Sequence, residues 1–456
     1  MKLNVFKTEA RAMLKLAGPL LVAQLTQMLM GVSDTLMAGR LSSTDMAAVA
    51  IASSVFFPVM ILVQGIIMAL PPIVSRLHGA KNHAPIPEAG HQALYIGQAL
   101  SLLVFIASFY TYEMFTPFNM AADLQRISAD YLQYVFIAFP AFCVYQVLRQ
   151  YSEGLSHTKP SMIIMIVGLI VNIPANYVFI YGELGVPAYG GAGCGIATAI
   201  VLVAMMTCNW LYVKTSKKLS FAPFFEYSSK PNFIGIVAHL KIGLPIGFAL
   251  LFEVTLFSVI ALLLSPLGAK IVASHQIALN VSGVLFMVPL SIGLAVTIRI
   301  GYLLGENRDS SAKDASYTAV AMGLGFATIN ALISVLLRYQ LAGLYSTETD
   351  VINMAADLLL LAAIFQFSDA VQVIGGCILR GYKDTKAMLI ITICSYWGVG
   401  LTLGYMLAMT DIIVPAMAAA GFWVGIILGL TVAAILLSLR IRFIQKHLPQ
   451  DGNQSV

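Results

Sequence analysis

The sequence predicts an all-α integral membrane protein, with twelve transmembrane helices in two six-helix bundles related by a pseudo-two-fold axis. Three observations carry this. The 456 residues are 59% hydrophobic and 10% charged, against roughly 25% charged in a soluble domain. So apolar a chain cannot cover itself with polar surface and needs lipid as its solvent. Apolar runs of spanning length recur twelve times, and the basic residues between them alternate in density.

The runs fall at about 17–39, 46–74, 91–112, 131–147, 160–181, 191–213, 242–264, 271–298, 317–337, 351–379, 388–409 and 412–439. The first follows a charged start (Lys2, Lys7, Arg11), is of full-span length and precedes no small-residue cleavage site. It is therefore expected to be a retained helix and not a signal peptide. The fourth is short because its polar end is ambiguous. With the N-terminus inside, the cytoplasmic segments carry 4, 2, 2, 5, 3, 3 and 3 Lys/Arg. The opposite side carries only Arg40, Arg126, Lys270 and Arg338 of the 26. A miscounted helix would scramble that alternation, so twelve spans with both termini cytoplasmic are expected.

The longest polar connection, 214–241, separates two sets of six spans, giving expected domains 1–225 and 226–456. The halves resemble one another. KLAGPLLVAQ from Lys15 aligns with KIGLPIGFAL from Lys241, and Pro19 with Pro245, at an offset of 226; GLSHTKPSM from Gly154 aligns with GYKDTKAML from Gly381 at 227. Six is even, so the repeats enter from the same side and are parallel. A cleft between two such bundles is the expected solute site.

Three carboxylates, Asp34, Glu253 and Asp369, lie in apolar runs that contain no lysine or arginine. A charge inside a bilayer costs at least about 2.5–3.5 kcal/mol on the most lenient scale, so such residues usually handle an ion, a proton or a charged solute. Glu253, in LLFEVTLF, lies near the middle of the seventh run, and Asp369, in FQFSDAVQV, well inside the tenth. There, proton uptake and cation coordination compete for the carboxylate. A structural carboxylate bonded to Ser/Thr or backbone is the rival reading. Asp34, in MGVSDTLMAGR, lies nearer the outer end of the first run, where an interfacial role is also open.

Asn172 and Asn176 are four apart and share a helix face, with Thr198 in the next run. Together with Asp34 they could give oxygen ligands to a hard cation such as Na⁺. Interhelical hydrogen bonding explains them equally well. Gln276 and the aromatics Phe257, Phe286, Phe365 and Phe367 lie near the acidic helices; aromatic faces can hold lipophilic cations, though most membrane phenylalanines only pack. Pro19 is a candidate hinge, with a static kink as the plainer reading.

The five cysteines fall in apolar segments without a CxxC pair, and the histidines form no HExxH. No GxxxxGK[ST] occurs, so ATP binding by a P-loop and any metal or nucleophile enzyme constellation are not expected. Energy would come from an ion gradient. No nucleic-acid surface is expected, and no cofactor beyond Na⁺ or H⁺ as coupling ion.

At these residues the chain resembles the MATE (multidrug and toxic compound extrusion) family, in particular its NorM-like bacterial branch. The motifs are MGVSDTLMAGRLSSTDMAAVAI from Met30, VNIPANYVFIYG from Val171, GGAGCGIATAI from Gly190, LFEVTLFSVIALLLSPLG from Leu251, the stretch around ASHQIALN, and DAVQVIGGCILRGYKDT from Asp369. The resemblance implies two six-helix lobes around a central cavity in the bacterial inner membrane. It also implies a cation-coupled antiporter that exports cationic or hydrophobic drugs and dyes from the cytoplasm; alternating access by a monomer is the mode of action expected here. By position it places Glu253 and Asp369 at a C-lobe cation site, with Na⁺ as candidate ion, and Asp34, Asn172, Asn176 and Thr198 among N-lobe polar residues. Gln276 falls near bound substrate. Phe365 and Phe286 stand where relatives have tyrosines, and Asn176 where some have an aspartate. A lipid-linked precursor flippase is the alternative on this architecture.

Overall fold

A computed structural model describes residues 3–118, 120–226 and 229–447. Both chain ends, expected on the cytoplasmic side, lie outside the described residues. Among those described, all regular secondary structure is helical. In order, the helices are α1 (Leu3–Leu41), α2 (Ser43–Ile67), α3 (Leu70–Gly79), α4 (Pro85–Ala107), α5 (Thr111–Phe115), α6 (Ala122–Ile137), α7 (Phe139–Gly154), α8 (Lys159–Tyr181) and α9 (Gly191–Thr215). They continue with α10 (Phe233–Leu264), α11 (Ala269–Gly305), α12 (Asp309–Leu336), α13 (Arg338–Gly343), α14 (Thr349–Gly381), α15 (Thr385–Ile393), α16 (Thr402–Met409) and α17 (Ala419–His447).

Among the described residues, eleven helical runs are long and apolar enough to cross a membrane, and α6 with α7 makes a twelfth if that pair is one span. The pair is bent by 47°. Its cause is legible in Phe139-Pro140, since proline lacks the amide that would continue the α6 ladder. The expected fourth span, 131–147, is therefore corrected: it straddles this break, and the helices extend on to Gly154. The extension carries charge inward, but Arg149 Nε donates to Glu153 Oε1 at 2.7 Å, one helical turn away, with both side chains buried.

The expected twelfth span is also corrected. Residues 412–418 are not helical, and Ile412, Ile413 and Val414 are exposed. Pro415 and the left-handed Ala418 (φ 50°) prevent a helix there. The span begins at Ala419 instead. A further departure lies in the eleventh span, where a π-helical stretch, Cys394–Leu401, interrupts α15 and α16.

The chain divides into two compact units: Val22–Gly247, and Met1–Leu21 together with Phe248–Val456. Their limits differ from the expected 1–225 and 226–456. Residues 3–21 pack with the second half, and the start of α10 with the first. Pro19 and Pro245 lie inside α1 and α10, each two residues before the point of division.

In the unit Val22–Gly247, α9 packs against α6, α7 and α8. Its core gathers Ile67, Leu70, Phe136, Phe139, Tyr145 and Tyr151. In the other unit α14 is central, packed on α11, α12 and α17, with Leu359, Phe365, Phe422 and Trp423 among its core residues.

Candidate functional site

The two units each carry an acidic site. In the unit Val22–Gly247 the site is built by close helix approach. A Cβ at Gly193 would lie 2.5 Å from the Phe179 carbonyl oxygen, and one at Gly195 2.6 Å from that of Tyr131. Only glycine lets α9 come this near to α8 and α6, so the GGAGCG run is a packing device. The start of α9 is pinned as well, since the Gly191 amide donates to Asp45 Oδ1 at 2.6 Å. Asp45 in turn receives the Ser42 hydroxyl, and Ser42 caps α2.

This packing brings the sequence-predicted group together. Asn172 and Asn176 on α8 both donate Nδ2 to Asp34 Oδ1, at 2.9 and 2.5 Å. The Tyr181 hydroxyl donates to the Met37 carbonyl at 3.0 Å and fixes α8 along α1. Both asparagines are buried, Asn176 fully, and their Oδ1 atoms have no hydrogen-bond partner. Thr198 and Ser53 lie beside the Tyr131 hydroxyl, which the Asp34 charge reaches. The assembly offers a carboxylate and two unpartnered amide oxygens, a donor set that suits a hard cation.

In the other unit, Glu253 on α10 and Asp369 on α14 are neighbours. Each lies within reach of the other's charge and of the Tyr396 hydroxyl. Asp369 is 3% exposed and its Oδ2 has no partner. The Trp397 indole donates to the Phe252 carbonyl at 3.1 Å, and the two rings meet edge to face at 6.0 Å. That contact locks the π-helical stretch against the turn of α10 that carries Glu253. π-helical turns inside α-helices occur often at functional sites. Among the described residues no three His, Cys, Asp or Glu side chains gather as a metal centre.

One expectation is corrected here. The apolar run around Asp369 contains no basic residue, but α14 extends beyond it, and Arg380 is buried in its last turn. The Arg380 charge acts on Glu253, so Glu253 is not remote from every cation.

The aromatic and amide candidates disperse. Phe365 is buried in the core, edge to face with Trp423 at 5.7 Å. Phe257 packs half-buried against the same core, and Phe286 is half-buried on α11. Gln276 is exposed and donates to Asn280 on its own helix face at 3.3 Å. Pro19 is half-buried within a continuous α1. Sequence reasoning missed Tyr396, whose one signal is its place beside Trp397 in a glycine-rich run, SYWGVG.

Comparison with known proteins agrees with this architecture. The MatE family model matches residues 19–178 and 245–406, two blocks that begin 226 residues apart, the offset of the internal repeat. The chain is 48% identical over 442 residues to the probable multidrug resistance protein NorM of Shewanella oneidensis, covering 96% of each. It is 45% identical over 440 residues to the multidrug resistance protein MdtK of Yersinia pestis, again covering 96% of each. Among solved structures, the eukaryotic MATE transporter AtDTX14 superposes with a TM-score of 0.85 at 20% identity, covering 98% of this chain and 100% of that one. An outward-facing MATE family transporter of the MOP superfamily gives 0.88 at 19% identity, covering 96% of each; both show the fold. Well over half of the chain fits the family model, and the relatives run alongside it from end to end: this is a multi-span membrane protein of the MatE family.

Proposed function

We propose that the chain is a multidrug efflux antiporter that exchanges cationic and lipophilic drugs or dyes for Na⁺ or H⁺ across the bacterial inner membrane. The observation that carries this is the pair Glu253–Asp369: two acids side by side in apolar spans, one nearly fully buried with an unpartnered oxygen. Buried carboxylates without hydrogen-bond partners are tolerated when a cation or proton can share them. The names of the relatives, multidrug resistance proteins, support the substrate class.

In this reading drug and coupling ion compete. A lipophilic cation taken from the cytoplasm or inner leaflet is held while the acids are available to it. After reorientation by alternating access, Na⁺ or H⁺ from outside occupies Glu253 and Asp369, or Asp34, and weakens drug retention. Release of the ion inside resets the cycle. Membrane potential adds about 2.3 kcal/mol per charge per 100 mV. Both halves lie on one chain, so a monomer suffices.

The test is ethidium transport in everted vesicles with Na⁺ and pH gradients imposed separately. Dye accumulation should follow one gradient and collapse with it, and Glu253→Gln or Asp369→Asn should abolish it while leaving membrane insertion intact. Transport indifferent to both gradients, or unchanged in both variants, would reject the antiport reading. The flippase alternative would instead show gradient-independent movement of a phosphate-bearing lipid.

A further inference from the structure

The Tyr396 side chain is 2% exposed, and its hydroxyl has no hydrogen-bond partner. A buried phenol normally finds an acceptor, because leaving one unsatisfied is costly. The charges of both Glu253 and Asp369 act on this hydroxyl, and the Trp397–Phe252 bond sets its residue beside the turn of α10 that carries Glu253. Yet none of the three oxygens is hydrogen-bonded to another, and Asp369 Oδ2 is likewise unpartnered.

The backbone holds this arrangement in place. The bond from Trp397 to the Phe252 carbonyl sets residues 396–397 against residues 252–253. Tyr396 lines a small apolar void of about 10 Å³ with Leu256 and Phe257, one helical turn beyond Glu253. The void is apolar and so is no place for an ion. Phe252, Phe257 and Phe365 carry no hydroxyl, whereas Tyr396, set beside the turn of α10 that carries Glu253, can offer an oxygen. Oxygens that share a cation stand further apart than oxygens that share a proton, because each is drawn to the ion and not to its neighbour.

We propose that the Tyr396 hydroxyl is a third oxygen ligand for the coupling cation, completing a Na⁺ site with Glu253 and Asp369. The inference rests on the cation-coupled reading of this site and names the residue that gives Na⁺ an advantage over a proton there. A proton needs only one carboxylate; Na⁺ needs several oxygens, and the hydroxyl supplies one without adding charge.

The test is Na⁺ titration of the purified full-length protein in detergent, with choline chloride holding ionic strength, read by thermal unfolding and tryptophan fluorescence. The wild type should be stabilised by Na⁺ with a change in emission, because Trp397 adjoins the ligand. E253Q should lose both responses. Y396F should fold with a sodium-free Tm at or above that of the wild type, since it removes an unpartnered hydroxyl. Its Na⁺ midpoint should rise roughly tenfold, the loss of one ligand contact. A Y396F titration identical to the wild type, with E253Q unresponsive, overturns the Tyr396 assignment and leaves the acidic site standing. A wild type stabilised by Na⁺ without any change in emission also overturns it, and needs no variant. A wild type indifferent to Na⁺, or E253Q responding like the wild type, overturns the sodium site itself and the proposal with it.

Discussion

Arg299 grips Glu9 through two parallel hydrogen bonds, Nε to Oε2 and Nη2 to Oε1, both 2.8 Å. This fork is the strongest geometry available to an ion pair, and it ties the first half of α1 to the end of α11 within one unit. Glu9 is nearly buried while Arg299 keeps a fifth of its side chain exposed. Removing one partner of a fully buried pair costs about 3–5 kcal/mol. With that exposure, Glu9→Gln should cost on the order of 2 kcal/mol. Arg299→Lys, which keeps the charge but loses the fork, should cost a large part of the same amount. Thermal unfolding in detergent would measure both; a Tm unchanged in E9Q would show that the pair contributes nothing to holding α1.

Asp34 takes two amide bonds on a single oxygen, and the shorter comes from Asn176. Asn176→Ala should destabilise the unit Val22–Gly247 by about 1.5–3 kcal/mol, the value of a hydrogen bond to a charged group. In an Asp34→Asn background the same change should cost clearly less, because the charge is gone. The double-mutant cycle isolates the pair. A cost unaffected by D34N would mean that Asn176 is held by packing alone.

Most of the spans and the acidic residues were legible in the sequence, for a physical reason. Apolar length and loop charge are one-dimensional properties, and an acid in an apolar run is conspicuous wherever the helix turns. The grouping of Asp34 with Asn172 and Asn176 was legible as a set of oxygen donors, because the spacing put both asparagines on one face, but their two hydrogen bonds to a single carboxylate oxygen followed only from folding. What stayed hidden depends on packing across elements. The π-helical stretch at Tyr396 packs against α17 and bonds to α10 through Trp397 and Phe252, contacts between distant parts of the chain that no local propensity announces. The break at Phe139-Pro140 was visible as a proline but not as a bend. Arg380 escaped because hydropathy ended its span one residue too early.

His157 lies between α7 and α8, half-buried near Lys218. Burial, with the Lys218 charge adding to it, holds its imidazole below the ordinary histidine range. The folded protein therefore binds this proton less readily than the unfolded chain does. Stability is intact above the unfolded value of about 6.5 and is lost as pH falls through it. His157→Gln should flatten the fall in Tm between neutral and mildly acidic pH. An equal acid loss in H157Q would place the sensitivity elsewhere.

Gly425 and Gly398 give a contrast that tests how the π-helical stretch is held. A Cβ added at Gly425 would sit 2.3 Å from the Gly404 Cα, 2.5 Å from its amide nitrogen and 2.6 Å from the Gly400 carbonyl oxygen. All three are backbone atoms and cannot swing aside. Gly425→Ala must therefore push α17 away from α16 and from the stretch that carries Tyr396. Overpacking of this kind costs about 1–3 kcal/mol or more, and small residues are what allow membrane helices to approach so closely. A Cβ at Gly398, in the same stretch, meets nothing within 4 Å. There Gly398→Ala removes only backbone freedom and should be neutral or stabilising by about 0.4–1 kcal/mol. If α17 sets the position of Tyr396, G425A should also weaken the sodium response while G398A leaves it unchanged. Equal Tm values for the two variants would show that the close helix contact does not hold the stretch in place, and Tyr396 would then need another anchor.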